Sequence, residues 1–323
     1  MPITGASSYP PTTEAFLSHW ETANTAVGSP VTLEDGTARA DLVVLRDDLE
    51  AAREGVTGAA VDLSLARGAL AAQLAVLQVR MVEFNARVRG DLAGSPFPGA
   101  LPEAFALGQA EGVVREALRR MARVWGKINE LGSASPPGVA QPYTLSAGLT
   151  LAAFEALRTQ LREAYRTVSD AQVDLSFARG ARNTVQDAIY PRLKAYRQKL
   201  VGLGAAHPAL LESLPALSPA GGHTPEPVAA AAVWNAPTSQ AKVTWSASPE
   251  PALARYEVRA DAGEEYETED ESLLLTVPPE GPREVLTDFA LGTPGLTTGF
   301  KVYVVLDTGN ERGSDAVYVT RPG

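Results

Sequence analysis

From Leu42 onward, apolar residues recur every seven positions. One series is Leu42, Leu49, Val56, Leu63, Leu70, Leu77 and Phe84, flanked by Leu45, Ala52, Ala59, Ala66, Gln73 and Arg80. The pattern returns as Phe154, Leu161, Val168, Leu175, Arg182, Ile189 and Tyr196, flanked by Leu157, Ala164, Ala171, Ala178, Val185 and Arg192. An apolar heptad held this long predicts helices packed as a coiled coil. Large residues alternate with alanine mid-series, which lets helices approach closely. Gly55-Val56-Thr57-Gly58 offers a hairpin turn, and Thr57 aligns with Ser169 as a candidate N-cap. The heptad crosses both places without a phase break, which favours one long helix of about 55 residues in each series. Pro191 predicts a kink in the second, because proline lacks the N–H and clashes with the preceding turn.

The two series belong to a tandem repeat. Val61-Asp62-Leu63-Ser64-Leu65-Ala66-Arg67-Gly68-Ala69 returns as Val173-Asp174-Leu175-Ser176-Phe177-Ala178-Arg179-Gly180-Ala181, eight of nine residues identical at an offset of 112. Thr32-Leu33 and Gly36 map onto Thr144-Leu145 and Gly148 at the same offset, as does Arg80 onto Arg192. Ahead of each long helix, the pattern predicts a shorter amphipathic one. The first carries Phe16, Leu17 and Trp20, and the second, over 103–131, carries Trp125 and Ile128. Trp125 and Asn129 match Trp20 and Asn24, with a longer loop following the second. Thr32 and Asp35 are spaced as a capping box. The expected organisation is a flexible N-terminal arm over 1–12, helical repeats over 13–102 and 103–214, and a Pro/Gly linker over 215–227.

Beyond the linker the period changes to that of strands. Val243-Thr244-Trp245, Tyr256-Glu257-Val258, 273–277, 301–306 and 316–320 are β-rich, with Asp307-Thr308-Gly309-Asn310 as a turn. Residues 228–323 resemble a fibronectin type III domain. The resemblance rests on Trp245 in the second predicted strand, Tyr256 in the third, and the closing hairpin Phe300-Lys301-Val302-Tyr303-Val304-Val305-Leu306 through Val317-Tyr318-Val319-Thr320. Phe300 stands where that family carries its corner tyrosine, so the hydroxyl-to-backbone bond of the corner is missing. The resemblance implies a seven-stranded antiparallel sandwich and leaves its activity unspecified. In layout, the N-terminal region is similar to uncharacterised bacterial proteins that place helices before a fibronectin-type domain. The expected fold is therefore multidomain, all-α plus all-β: a duplicated, elongated helical bundle followed by a sandwich.

Charge narrows the partners. The net charge of −10 disfavours nucleic acid, whose phosphates need a basic surface. Residues 223–323 hold 16 acidic and 7 basic side chains, and so carry −9 of that total. Asp261, Glu264, Glu265, Glu267, Glu269, Asp270 and Glu271 form a dense run. Without a D-x-D-x-D-G loop, it reads as a solvated edge that resists sheet pairing in preference to a calcium site. There is no cysteine, no basic-then-apolar leader, and no continuous apolar run of the length that spans a bilayer. A soluble, cytoplasmic protein is the default expectation, with export by a leaderless route left open.

Candidate chemistry is sparse. His19, His207 and His223 lie far apart and outside any metal-ligand spacing, which suits surface or loop positions. G-x-S-x-G, Walker and G-x-G-x-x-G motifs are missing. Arg80 and Arg192 fall on seam positions, where they are expected to reach past helix ends. Arg89-Gly90-Asp91 spells an adhesion tripeptide, but at a helix end. Asp62, Arg67, Asp174 and Arg179 are the candidate inter-repeat contacts, as a reciprocal ion-pair cluster. Trp234 is the candidate binding surface of the sandwich. The expected function is a non-enzymatic structural, self-assembling or scaffold protein without cofactor, partnered by itself or by another protein. The alternative is an adhesion or glycan-binding module acting through the sandwich loops.

Overall fold

The computed structural model describes residues 2–322. Six α-helices come first: α1 (Tyr9–Val27), α2 (Arg39–Asp91), α3 (Phe97–Ala100), α4 (Glu111–Asn129), α5 (Leu151–Leu203) and α6 (Pro208–Glu212). Both long helices are unbroken over 53 residues, so neither Gly55–Gly58 nor Ser169 makes a turn, and α5 continues through Pro191. Helix α2 starts later than Thr32 and Asp35 suggest. Asp35 instead accepts from the Thr37 N–H at 2.9 Å, and the Asp41 carboxylate reaches back to the Ala38 N–H at 2.7 Å to close the helix start. By length and composition α2 is apolar enough to cross a membrane, against the expectation from continuous runs. Its leucines, valines and alanines raise the average, while Asp62 and Arg67 interrupt any continuous apolar run.

The chain divides into two compact units, Met1–Ser64 with Val173–Gly323, and Leu65–Gln172. In the first, α1 packs Phe16, Leu17, Trp20 and Ala23 onto Leu42 and Leu49 of α2 and Ile189, Leu193, Tyr196 and Leu200 of α5. Trp20 stacks on Tyr196 with ring centres 4.3 Å apart. Its indole N–H donates to the Val31 carbonyl at 2.9 Å, and the Val31 N–H donates to Asn24 at 2.7 Å. In the second, α4 packs Leu118, Met121, Trp125 and Ile128 onto Leu77, Met81, Phe84 and Val88 of α2 and Phe154 and Leu161 of α5. Trp125 stacks on Phe84 at 5.2 Å and donates to the Tyr143 carbonyl at 2.8 Å, while the Tyr143 N–H donates to Asn129 at 2.8 Å. The long-helix residues of the two cores, and the Val31 and Tyr143 carbonyls, occupy positions 112 apart in sequence. In each unit the start of one long helix meets the end of the other, so they run antiparallel there.

Of the arm expected over 1–12, residues 2–12 are part of the fold, and Met1 lies outside the described residues. Ala6–Ser8 form a 3-10 turn, α1 begins at Tyr9, and Ser7, Ser8 and Thr12 are buried. Pro10 and Pro11 sit in the first turn of α1, where a missing N–H costs nothing. The expected linker is also fastened: the Ile3 N–H donates to the Leu217 carbonyl at 3.0 Å, and Ala220 exchanges hydrogen bonds with Thr308 and Asn310.

The remaining strands are β1 (Ala230–Asn235), β2 (Gln240–Trp245), β3 (Leu253–Ala262), β4 (Ser272–Val277), β5 (Glu284–Thr287), β6 (Thr297–Leu306), β7 (Glu311–Gly313) and β8 (Val317–Thr320). They form an antiparallel sandwich: one sheet is ordered β1-β2-β5, the other β4-β3-β6-β7 with β8 also on β6. The filling comes from one face of each strand: Val243 and Trp245 opposite Tyr256, Val258, Phe300, Val302 and Val304. The short edge strands β1, β5 and β7 are additions to the sequence reading.

Candidate functional site

Strand β3 buries both faces. Tyr256, Val258 and Ala260 fill the sandwich, so the alternate residues Glu257, Arg259 and Asp261 point to the outer side, yet all three are buried. What covers them lies in the same compact unit: residues 4–8, Arg53 of α2, and Arg179 and Arg182 of α5. The result is a buried ionic junction between sheet and helices.

Arg259 is its centre, 1% exposed. Its guanidinium donates to Glu257 at 2.7 and 3.1 Å, to Glu271 at 2.8 Å and to Glu311 at 2.6 and 2.9 Å. The group also lies 3.8 Å over the Tyr303 ring. Gly313 is required here, because a Cβ would meet that ring at 2.9 Å. Burial alone would favour a neutral guanidinium, but Glu311, Glu271 and Glu257 raise its pKa above the ordinary value. Besides Arg259, three hydroxyls donate to Glu271: those of Ser7 (2.9 Å), Tyr266 (2.7 Å) and Tyr303 (2.9 Å). Burial, then the Glu271 charge, drives both tyrosine pKa values up, so they act as donors only.

A second cluster continues the first. Arg182 and Arg179 both reach the Asp270 carboxylate at 2.5 Å, and Arg182 also donates to the Glu269 carbonyl. Arg53 donates to the Glu271 carbonyl at 2.5 Å and to the Ala6 carbonyl at 3.1 Å. Asp261 is buried beside this cluster, where it accepts from the Glu267 N–H at 2.7 Å. Burial, with the nearby Asp270 charge, raises its pKa to about 7.

Asp261 therefore links pH to stability. An unfolded aspartate ionises near pH 4, whereas the folded one holds its proton to about 7. Its contribution is full below the lower value and is lost as pH rises through the upper one. We expect Asp261→Asn to match the wild type near pH 4 and to exceed it by about 2 kcal/mol near pH 8. Urea midpoints of both proteins across that range check this, and parallel pH profiles would refute it.

The acidic run is thus not a uniformly solvated edge. Asp261, Asp270 and Glu271 are buried and partnered, while Glu264, Glu265, Glu267 and Glu269 are exposed. Among the described residues, no group of three or more acidic or histidine side chains is arranged for a metal. Of the expected inter-repeat contacts, Arg179 binds Asp270 of the sandwich instead. Asp62 and Asp174 are exposed and Arg67 half-buried, and none of the three makes an ion pair among the described residues. Trp234 lies within β1, not on a loop, half-buried against the core beneath the Arg321 guanidinium at 5.8 Å. His19 is buried, against the surface expectation: Nδ1 pairs with the Tyr196 hydroxyl at 2.8 Å and Nε2 with the Leu210 carbonyl at 3.0 Å. Burial lowers its pKa, which keeps the ring neutral. Arg80 pairs with Glu83 at 2.9 Å and donates to the Ser146 hydroxyl at 2.8 Å, in the segment ahead of α5, whereas Arg192 turns back to the Ala188 carbonyl of its own helix at 2.6 Å. In the adhesion-like tripeptide, Asp91 accepts from the Tyr143 hydroxyl at 3.0 Å.

Fold and junction define the class: a long helical region followed by an antiparallel two-sheet sandwich. No protein family matches the chain, and no curated protein is similar to it. Two solved structures show partial likeness. A fibronectin type III-like protein from Clostridium thermocellum is 17% identical, over 31% of this chain and 97% of its own, with a TM-score of 0.25. A pectate lyase from Erwinia chrysanthemi, solved in complex with tetragalacturonic acid, is 20% identical over 29% of this chain, with a TM-score of 0.25. The match spans 28% of the lyase's own length.

Proposed function

We propose that this is a non-enzymatic structural protein, a scaffold that assembles with further copies of itself and in which a duplicated helical region carries the sandwich as a rigid part. The junction supports the reading. Deeply buried charged groups pair with one another: Arg259 with Glu257 and Glu271 inside the sandwich, and Arg182 of α5 with Asp270. This last pair, with the bonds of Ser7 and Arg53 to Glu271, fastens sheet to helices. Buried charges are costly to leave unpaired, so such a joint fixes one geometry. A rigid joint suits a building block, in which each copy must present its surfaces at a defined angle to close a ring or extend a filament. A tethered recognition module would need only a flexible linker.

Light scattering and negative-stain microscopy over a concentration series test the reading. Ordered particles or fibres that grow with concentration are the expected result. A monomer at every concentration and salt would overturn it.

A further inference from the structure

Each compact unit carries a groove between its short helix and a long one, and the two grooves use matched positions. In the first unit it is lined by Ser7, Pro10, Pro11, Glu14, Arg46 and Glu50. In the second, a groove of about 430 Å³ is lined by Gly112, Arg115, Glu116, Arg119, Arg158 and Arg162. These are the same six places at the repeat offsets of 105 for the short helices and 112 for the long ones. Two differences separate them. Glu14 and Glu50 become Arg119 and Arg162, so the charge inverts. The first groove has a further wall of Ser272, Leu273 and Phe289 from the sandwich, whereas the second is lined by α4 and α5 alone.

We infer that the arginine groove of the second unit is the docking site for the sandwich of a second copy of this chain, entered by the exposed acidic loop Glu264, Glu265, Glu267 and Glu269. This deepens, and rests on, the self-assembly reading above. Charge complementarity selects the occupant. The second unit holds 12 basic and 9 acidic residues, a net of +3, which leaves −13 on the first unit. The loop's four carboxylates are exposed and make no ion pair among the described residues. Of the groove's arginines, Arg115, Arg119 and Arg158 share the exposed carboxylates of Glu111, Glu116 and Glu155, the last also lining the groove, while Arg162 makes no ion pair among the described residues and donates to the Thr159 hydroxyl at 3.2 Å. The loop leads directly into Ser272 and Leu273, the residues that wall the matched groove in the first unit. The same sandwich edge thus meets two matched helix pairs, α1 with α2 within the chain and α4 with α5 between copies. Loop and groove are different surfaces, so the contact is head-to-tail and propagates.

A charge swap tests this by sedimentation velocity at low ionic strength. One variant reverses the groove (Arg119→Glu with Arg162→Glu); the other reverses the loop (Glu264→Lys with Glu265→Lys). All four residues are exposed, so both variants should fold, and circular dichroism verifies it. The wild type should self-associate, each variant alone should weaken association by at least about tenfold, and an equimolar mixture should recover it. If the wild type assembles and neither reversal changes it, the docking inference fails while the structural reading stands. If the wild type is monomeric throughout, both fail. If it is monomeric yet binds a fluorescent polyglutamate peptide that the groove variant does not bind, the groove serves another acidic partner and the second-copy assignment is overturned.

Discussion

Arg259→Met should cost this protein about 4–5 kcal/mol at neutral pH, a large share of the 5–15 kcal/mol typical of a folded domain. The substitution keeps most of the stem's volume and removes the one cation shared by Glu257, Glu271 and Glu311. Glu257 retains Arg255 at 2.8 Å, and Glu271 retains three hydroxyl donors. Glu311 retains only the Thr4 hydroxyl at 2.9 Å. Hydroxyls soften a stranded carboxylate without neutralising it, so most of the penalty remains. Arg259→Lys should cost less, about 2 kcal/mol, because it restores the charge but not the planar fork that serves three carboxylates together. Acid provides an independent readout. The stranded carboxylates will take up protons above their usual range, so the gap between variant and wild type should narrow as pH falls toward 4. Chemical denaturation at pH 7 and pH 4.5 measures both effects. A loss under about 1 kcal/mol at pH 7 would show that Arg259 is not the neutralising centre of the junction.

The helical architecture is written in short-range pattern. A heptad is readable because each seam residue's burial follows from its neighbours three, four and seven positions away, and Leu42, Leu49, Val56, Leu63, Leu77 and Phe84 are all buried as the period requires. The main strands of the sandwich were legible for the same reason. The edge strands were not: β1 opens on a run of alanines, and β7 is three residues, too short for alternation to register. The junction was hidden by distance. Ser7 meets Glu271 across 264 residues and Arg53 meets it across 218, and no local pattern announces such partners. Two signals were nevertheless present. Arg182 stands in a seam where its repeat counterpart is Leu70, and Glu257, Arg259 and Asp261 place three charges on one face of a strand. Alternation normally sends that face to solvent, which is why the acidic run read as a solvated edge. Only the tertiary cover of residues 4–8, Arg53, Arg179 and Arg182 turns it into a core.

Arg182 supplies the second large effect, and its repeat counterpart suggests how to isolate it. Arg182→Leu installs the residue found at the matched seam position, so packing along α5 should tolerate it. The cost, about 3 kcal/mol, should come from Asp270, which is 2% exposed and left with Arg179 alone, itself 38% exposed. Asp270→Leu strands Arg182 in turn, with only the Glu269 carbonyl and the adjacent Asn183 side chain as acceptors, and should cost a similar amount. If both losses arise from one pair, the double variant Arg182→Leu with Asp270→Leu should recover to within about 1 kcal/mol of wild type, because replacing a buried pair by apolar residues is often neutral. Urea midpoints of the four proteins complete the cycle. Additive losses would mean that the two residues act separately, and two neutral single variants would mean that the pair contributes nothing to holding the sheet on the helices. Recovery without loss would show that the ion pair fixes which surfaces meet more than how strongly they hold. That is the role the proposed building block requires of its joint.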